Sequence, residues 1–205
     1  MTPFVIITGG IGSGKSVVTR ILNVLGLPTY DCDSQAKRLI NTDPLLREQL
    51  TGLLGAQTYA GGTYDTDYVS RRIFDNKNLL DAVNAIVHPA VISDIHKWAG
   101  TAGFPCFVET ALARQSGLLQ AGCRQVWHVK APDNVRITRV ERRSGLSARQ
   151  IQERINAQRD ALKTFDNEVT LLNDNRHAIL PQVMRAIEQL TEISNPKIIS
   201  TTHHA

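Results

Sequence analysis

With 205 residues, 42% of them hydrophobic and 20% charged, the chain can bury a core and does not have the composition of a disordered protein. No apolar run approaches the roughly 20 residues that span a bilayer, and three scattered cysteines, Cys32, Cys106 and Cys123, suit neither a disulfide framework nor a zinc site. The net charge of +4 has no basic tail behind it, and its arginines gather between Arg136 and Arg159, a pattern that suits phosphorylated small molecules at least as well as nucleic acid.

Met1-Thr2-Pro3-Phe4 enters the first apolar run without a basic region or a cleavage site, so the expectation is a cytoplasmic protein with no signal peptide and no membrane partner. Phe4–Ile7 is the first predicted strand. Gly9 to Ser16 then reads Gly-Gly-Ile-Gly-Ser-Gly-Lys-Ser, the G-x-x-x-x-G-K-[ST] phosphate-binding loop, and a helix is predicted over Lys15–Leu25. Glycines let such a loop wrap an anion with inward-pointing backbone N–H groups, and the following helix adds its partial positive charge. Gly10, Ile11, Gly12, Ser13, Gly14, Lys15, Ser16 and Val17 are therefore the candidate nucleotide contacts. Lys15 reaches the outer phosphates, and the Ser16 hydroxyl is the candidate ligand for Mg²⁺.

Further strands are predicted at Leu27–Tyr30, Cys106–Val108, Val126–Val129 and Val169–Leu172. Helices are predicted at Ser34–Ile40, Pro44–Leu54, Tyr68–Phe74, Asn78–Ile86, Ala90–Gly100, Asp133–Arg143, Ala148–Leu162 and Pro181–Ile193, followed by a frayed tail, Asn195–Ala205. The alternation argues for an α/β fold whose parallel sheet is covered by helices. About seventy largely helical residues separate the second strand from the third, too many for an ordinary crossover, which suggests a substrate-binding insertion.

Tyr30-Asp31-Cys32-Asp33 puts two carboxylates at the end of the second strand, where ligands sit in open α/β sheets. A kinase acting on a hydroxyl needs a carboxylate to orient the alcohol and accept its proton. Spacing alone leaves two readings of Asp33 open, that base or a cap for the helix beginning at Ser34. Arg136, Arg139 and Arg143 share one helix face, a candidate lid surface for a triphosphate, with Arg136 and Arg142 read as solvated. His88 before Pro89 reads as a helix-entry residue. Cys32, Trp98 and Trp127 read as packing residues. Neither N-K-x-D nor D-x-x-G occurs, which argues against a GTPase, and the apolar run Phe104–Glu109 ends in Glu rather than the Asp of larger ATPases.

Several motifs occur in the order found in dephospho-CoA kinases. The opening Ile-Thr-Gly-Gly-Ile-Gly-Ser-Gly-Lys-Ser, then Asp33-Ser-Gln-Ala-Lys, Asn84-Ala-Ile-Val-His88-Pro89, Glu109-Thr-Ala-Leu, Arg139 to Ser147, Ile151 to Gln158 and Asn173-Asp174-Asn175 together resemble that family. The resemblance implies a single P-loop kinase domain over residues 1–205, three-layered around a central five-stranded parallel sheet. It implies a helical substrate-binding insertion at about 34–103 and a lid at about 136–162. It implies transfer of the γ-phosphoryl of ATP to the ribose 3′-hydroxyl of dephospho-CoA, with Mg²⁺ and without a nucleic-acid partner. By the same resemblance Asp33 is the base, with Lys15, Arg139 and Arg143 also catalytic. Asp33, His88 and Glu109 face the acceptor, and Asn175 lies near the ATP adenine. The sequence departs from the family pattern at Arg114, Gln115 and Ser144, which bears on the acceptor side. Another compact P-loop kinase and a nucleotide-binding regulator are the competing readings, the latter disfavoured because Lys15, Ser16 and Asp33 are all present.

Overall fold

A computed structural model describes residues 1–194; the predicted tail Asn195–Ala205 lies outside them. Five strands, β1 (Phe4–Thr8), β2 (Thr29–Asp31), β3 (Phe107–Glu109), β4 (Cys123–Lys130) and β5 (Glu168–Leu172), form one sheet in the order β2-β3-β1-β4-β5. Every pairing is parallel. All five predicted strands are therefore present. The whole of β1 is buried, as a central strand covered on both faces must be. Alternate side chains serve different layers. Val5 and Ile7 pack with Phe107, Trp127 and Leu171 against α1 (Lys15–Val24) and α8 (Ile179–Ser194). Phe4 and Ile6 face the opposite layer with Tyr30, Val108 and Val126.

That opposite layer is built from the residues between β2 and β3: α2 (Cys32–Thr42), α3 (Pro44–Leu54), α4 (Thr66–Ile73) and α5 (Lys77–Ala102). Here the structure corrects the sequence reading. The two helices predicted at Asn78–Ile86 and Ala90–Gly100 are one, running straight through Pro89. Val83, Val87, Val91, Ile95 and Ala99 recur every four residues and keep one buried stripe continuous. Pro89 lies on the exposed side, as does Ala85, whose carbonyl the missing N–H would have met, so water can satisfy it. His88 is thus a mid-helix residue, not a helix-entry one.

After β4 come α6 (Asp133–Ser144) and α7 (Ala148–Gln158), opened by a capping box between Ser147 and Gln150. These two helices share a small core of Val140, Ile151 and Ile155, against which Ile137, Leu146 and, from the phosphate loop, Ile11 pack. Trp127 is fully buried, Trp98 packs on Tyr30 with ring centroids 5.2 Å apart, and Cys32 is buried, as predicted for packing residues.

Candidate active site

The loop after β1 is shaped for an anion. Gly14 precedes α1 with φ of 96°, and a Cβ there would collide with the Asn173 amide. No side chain caps the N-terminus of α1 and no acidic residue occupies its first turn; the Val17 N–H turns back to the Gly14 carbonyl at 3.0 Å, which leaves the amides of Lys15 and Ser16 for a ligand. Lys15 Nζ donates to the Gly9 carbonyl at 2.8 Å, folding its arm over the loop. Gly10, Ile11, Gly12, Gly14, Lys15, Ser16 and Val17 line one cleft of about 420 Å³, together with Asp33, Glu109, Arg139, Arg143 and Asn173. Ser13 lines the neighbouring chamber under the lid instead, and its hydroxyl is buried without a partner.

Parallel register brings the carboxylates to this cleft. Asp31 pairs with Glu109, and Glu109 with Ile7, at the ends of three adjacent strands. Asp31 is the N-cap of α2: its carboxylate accepts the N–H groups of Asp33 at 3.0 Å and Ser34 at 3.4 Å, and the Ser34 hydroxyl at 2.8 Å. Asp33, inside the first turn, is released from capping and lines the cleft. The two readings left open by spacing are separated by one residue: Asp31 caps and Asp33 faces the site. Glu109 accepts a hydrogen bond from Thr19 Oγ1 at 2.9 Å. Its carboxyl is pushed up by burial, against the Thr19 bond and the Lys15 charge, with Asp31 and Asp33 adding to the rise. Burial lowers Lys15 from its ordinary range, opposed by Glu109 and Asp33. Sequence reading missed Thr19, although its place one turn after Lys15 was a usable signal.

The lid arginines divide differently from the sequence expectation. Arg136, read as solvated, is largely buried, its side chain only 11% exposed. Its Nε donates to the Ile11 carbonyl at 2.9 Å and Nη1 to Asp133 at 3.1 Å, and the guanidinium lies so close over Gly10 that a Cβ there would have to displace it. Burial rather than spacing decides this, because α6 packs flat on the loop. From α7, Gln158 accepts the Ile11 N–H at 2.8 Å. Both polar groups at Ile11 are therefore held by the lid. Arg139 also grips the loop, donating to the carbonyls of Gly12 at 3.4 Å and Ser13 at 3.2 Å, to Asn173 at 3.2 Å and to Asn175 at 2.6 Å. Arg143 lines the cleft, whereas Arg142 is exposed, as read.

On the other side of Asp33 lies a second, mainly apolar pocket to which His88, Asn84 and Val87 of α5 contribute. Asp33 borders both cavities. Burial lowers the His88 imidazole below its ordinary value, partly offset by a hydrogen bond with the Gln115 backbone.

A family-wide sequence profile described as dephospho-CoA kinase matches residues 3–178. Dephospho-CoA kinase of Porphyromonas gingivalis is 41% identical over 194 residues, covering 93% of this chain and 96% of that one. The chain belongs to the dephospho-CoA kinase family. It is thus a kinase of the family that performs the final step of coenzyme A biosynthesis. Among solved structures, TT1252 from Thermus thermophilus superposes with a TM-score of 0.75 at 28% identity, covering 94% of this chain and 97% of that one. Dephospho-CoA kinase from Campylobacter jejuni shares the fold with a TM-score of 0.66 at 21% identity, covering 95% and 100%.

The departures from the family pattern have local accounts. Arg114 donates to the carbonyls of Lys163 at 3.0 Å and Thr164 at 2.7 Å and stacks on Phe165 at 4.3 Å, tying down the segment before β5. Ser144, the last residue of α6, returns its hydroxyl to the Val140 carbonyl at 2.8 Å. Gln115 is exposed, and its backbone meets His88. None of the three stands between Lys15, Asp33 and Arg143. The Cys32 thiol is pushed up to about 12 by burial and by Asp33 and Asp31, which suits packing rather than thiol chemistry. Among the described residues no helix is long and apolar enough to cross a membrane.

Proposed function

We propose that Asp33 is the base that accepts the proton of the ribose 3′-hydroxyl of dephospho-CoA as that oxygen bonds to the γ-phosphorus of ATP. The bond from the γ-phosphorus to the β,γ-bridging oxygen breaks and ADP leaves. The observation that carries this reading is the position of Asp33, freed from capping by Asp31 and shared by the phosphate cleft and the His88 pocket. Phosphoryl transfer asks a protein mainly to position groups and offset charge. The uncapped amides of α1 and the Lys15 ammonium supply that on the donor side. Arg143 would face the transferred group from the lid. Arg139 spends four contacts on oxygens of the loop and of Asn173 and Asn175, leaving Nε–H for a ligand, so it shapes the loop while lending its charge. Glu109 and His88 complete the acceptor side, and Asn175, which is not among the residues lining the cleft but accepts a hydrogen bond from Arg139, would lie toward the ATP base.

The donor set also suits Mg²⁺. The exposed Ser16 hydroxyl and the Asp33 and Glu109 carboxylates offer only hard oxygen ligands to one cleft. Among the described residues no group of three His, Cys, Asp or Glu side chains could hold a metal alone. This fits a cation bound largely by phosphate oxygens and water, with Ser16 as its protein ligand. Such an ion would neutralise charge on the β- and γ-phosphates. A cytoplasmic setting belongs to the same reading, supported by three cysteines that are all free thiols.

The test is ADP release from Mg²⁺-ATP with and without dephospho-CoA, with the acceptor product weighed by mass spectrometry. Stimulation and a product heavier by one phosphoryl group are expected. No stimulation in a protein that still binds ATP would overturn the reading.

A further inference from the structure

Asp33 projects from the first turn of α2, so its place over the cleft is set by whatever holds that turn. Both flanks of the turn end on one side chain of α5. Tyr30, just before it in β2, donates its hydroxyl to Asp94 Oδ2 at 2.7 Å. Arg38, further along α2, donates Nη2 to the same oxygen at 2.7 Å. One turn beyond Asp94, Trp98 packs on the ring of Tyr30, which is itself buried. Burial and the bond to Asp94 raise the Tyr30 phenol well above its ordinary range, so it stays a donor.

We infer that Asp94 is a positioning residue for Asp33, pinning the turn between β2 and α2 to α5 so that the Asp33 carboxylate stays aimed at the cleft. The inference rests on the proposed role of Asp33 as the base. Asp31 closes the first turn of α2 from within, but that cap does not fix how the helix lies on its neighbours. Asp94 does. The Tyr30 ring is held by the pairing of β2 with β3 and by Trp98, so its hydroxyl is a fixed point on the sheet. The Arg38 arm belongs to α2, and one carboxylate oxygen has the lone pairs to accept from both. Its support is firm, because Val91 and Ile95 of the buried stripe lie beside it on α5. The Arg38 and Asp94 side chains are 47% and 24% exposed, and an ion pair so open to water adds little to folding. Its effect is on geometry, and proton transfer needs the base within hydrogen-bond reach of the hydroxyl.

Removing Asp94 strips a buried hydroxyl of its acceptor, so a loss of stability is expected of any role and does not decide the matter. A double-mutant cycle with Asp33→Asn does, run on the full chain with dephospho-CoA and Mg²⁺-ATP both varied. Asp94→Leu should lower kcat about tenfold to a hundredfold with KM for ATP unchanged, the cost of displacing a reacting group by about 1 Å. In the Asp33→Asn background the same change should cost almost nothing further, since the carboxylate it positions is already gone. Asp94→Asn keeps an oxygen for Tyr30 and Arg38 and should recover most of the turnover. Tyr30→Phe removes one arm and leaves the ring on Trp98; it should show the same dependence on Asp33 with a smaller loss, and it serves if Asp94→Leu does not fold. An unchanged kcat, equal losses in the two backgrounds, or Asp94→Asn as poor as Asp94→Leu would overturn the inference and leave the role of Asp33 standing. Near-normal turnover in Asp33→Asn alone would remove that role and the inference together.

Discussion

Asp31 accepts the backbone N–H of Asp33 at 3.0 Å, so one carboxylate of the pair spends itself on starting a helix and the other is left to face the cleft. The two should separate cleanly on mutation. Asp33→Asn should keep ATP binding and lose roughly 10²–10⁴ in turnover. Asp31→Ala should cost about 0.5–2 kcal/mol of stability through the lost cap, with a smaller fall in turnover from the slackened first turn. Urea unfolding alongside steady-state rates checks both, and near-normal turnover in Asp33→Asn would remove it from the mechanism.

The lid holds both polar groups of the Ile11 backbone, through Gln158 and Arg136. An unmet buried amide costs about 1–3 kcal/mol, so Gln158→Leu should raise the ATP dissociation constant several-fold or more by loosening the loop. Gln158→Glu keeps an acceptor oxygen and should restore much of the affinity. Calorimetric titration with Mg²⁺-ATP distinguishes them, and equal affinities in the two variants would mean that the bond does not shape the loop.

Thr19 Oγ1 donates to Glu109 at 2.9 Å, which stabilises the ionised carboxylate against the burial that pushes it up. Thr19→Val removes the donor and keeps the shape, so Glu109 should rise further and the acid limb of kcat/KM should move to higher pH. Thr19→Ser should leave that limb in place. A pH profile that does not move in Thr19→Val would show that Glu109 ionisation does not limit the reaction.

Glu168 anchors the far side of the sheet. Burial pushes its carboxyl up, but hydrogen bonds from Lys130 at 2.6 Å, the Phe165 N–H at 3.0 Å and Thr170 at 2.8 Å, with His128 at 3.2 Å, hold it near 2 rather than its ordinary 4.5. A depressed carboxyl stabilises the fold fully above its unfolded value, and that contribution drains away as pH falls from 4.5 through about 2. Glu168→Gln should therefore be less stable than wild type at neutral pH, with the gap closing across that acid window in urea titrations. A constant gap from neutral to acid pH would place its contribution in packing.

By itself the sequence determined the phosphate loop, the five strands and the candidate carboxylates, because these are local: a glycine spacing, an apolar run and a turn at a strand end each act over a few residues. Asp33 could be named but not separated from a cap, since only the path of α2 shows which aspartate lies outside the first turn. Pro89 hid the continuity of α5, because a proline breaks a helix in isolation but not where a buried stripe carries it past with the gap facing water. Arg136 looked solvated because an arginine on a charged face has no sequence mark of what will pack over it. Thr19 with Glu109, Gln158 with Ile11, and the placing of Asp33 between two cavities were decided by tertiary structure alone. Each joins residues far apart in the chain, and such neighbours are fixed by strand order and helix packing rather than by any local preference.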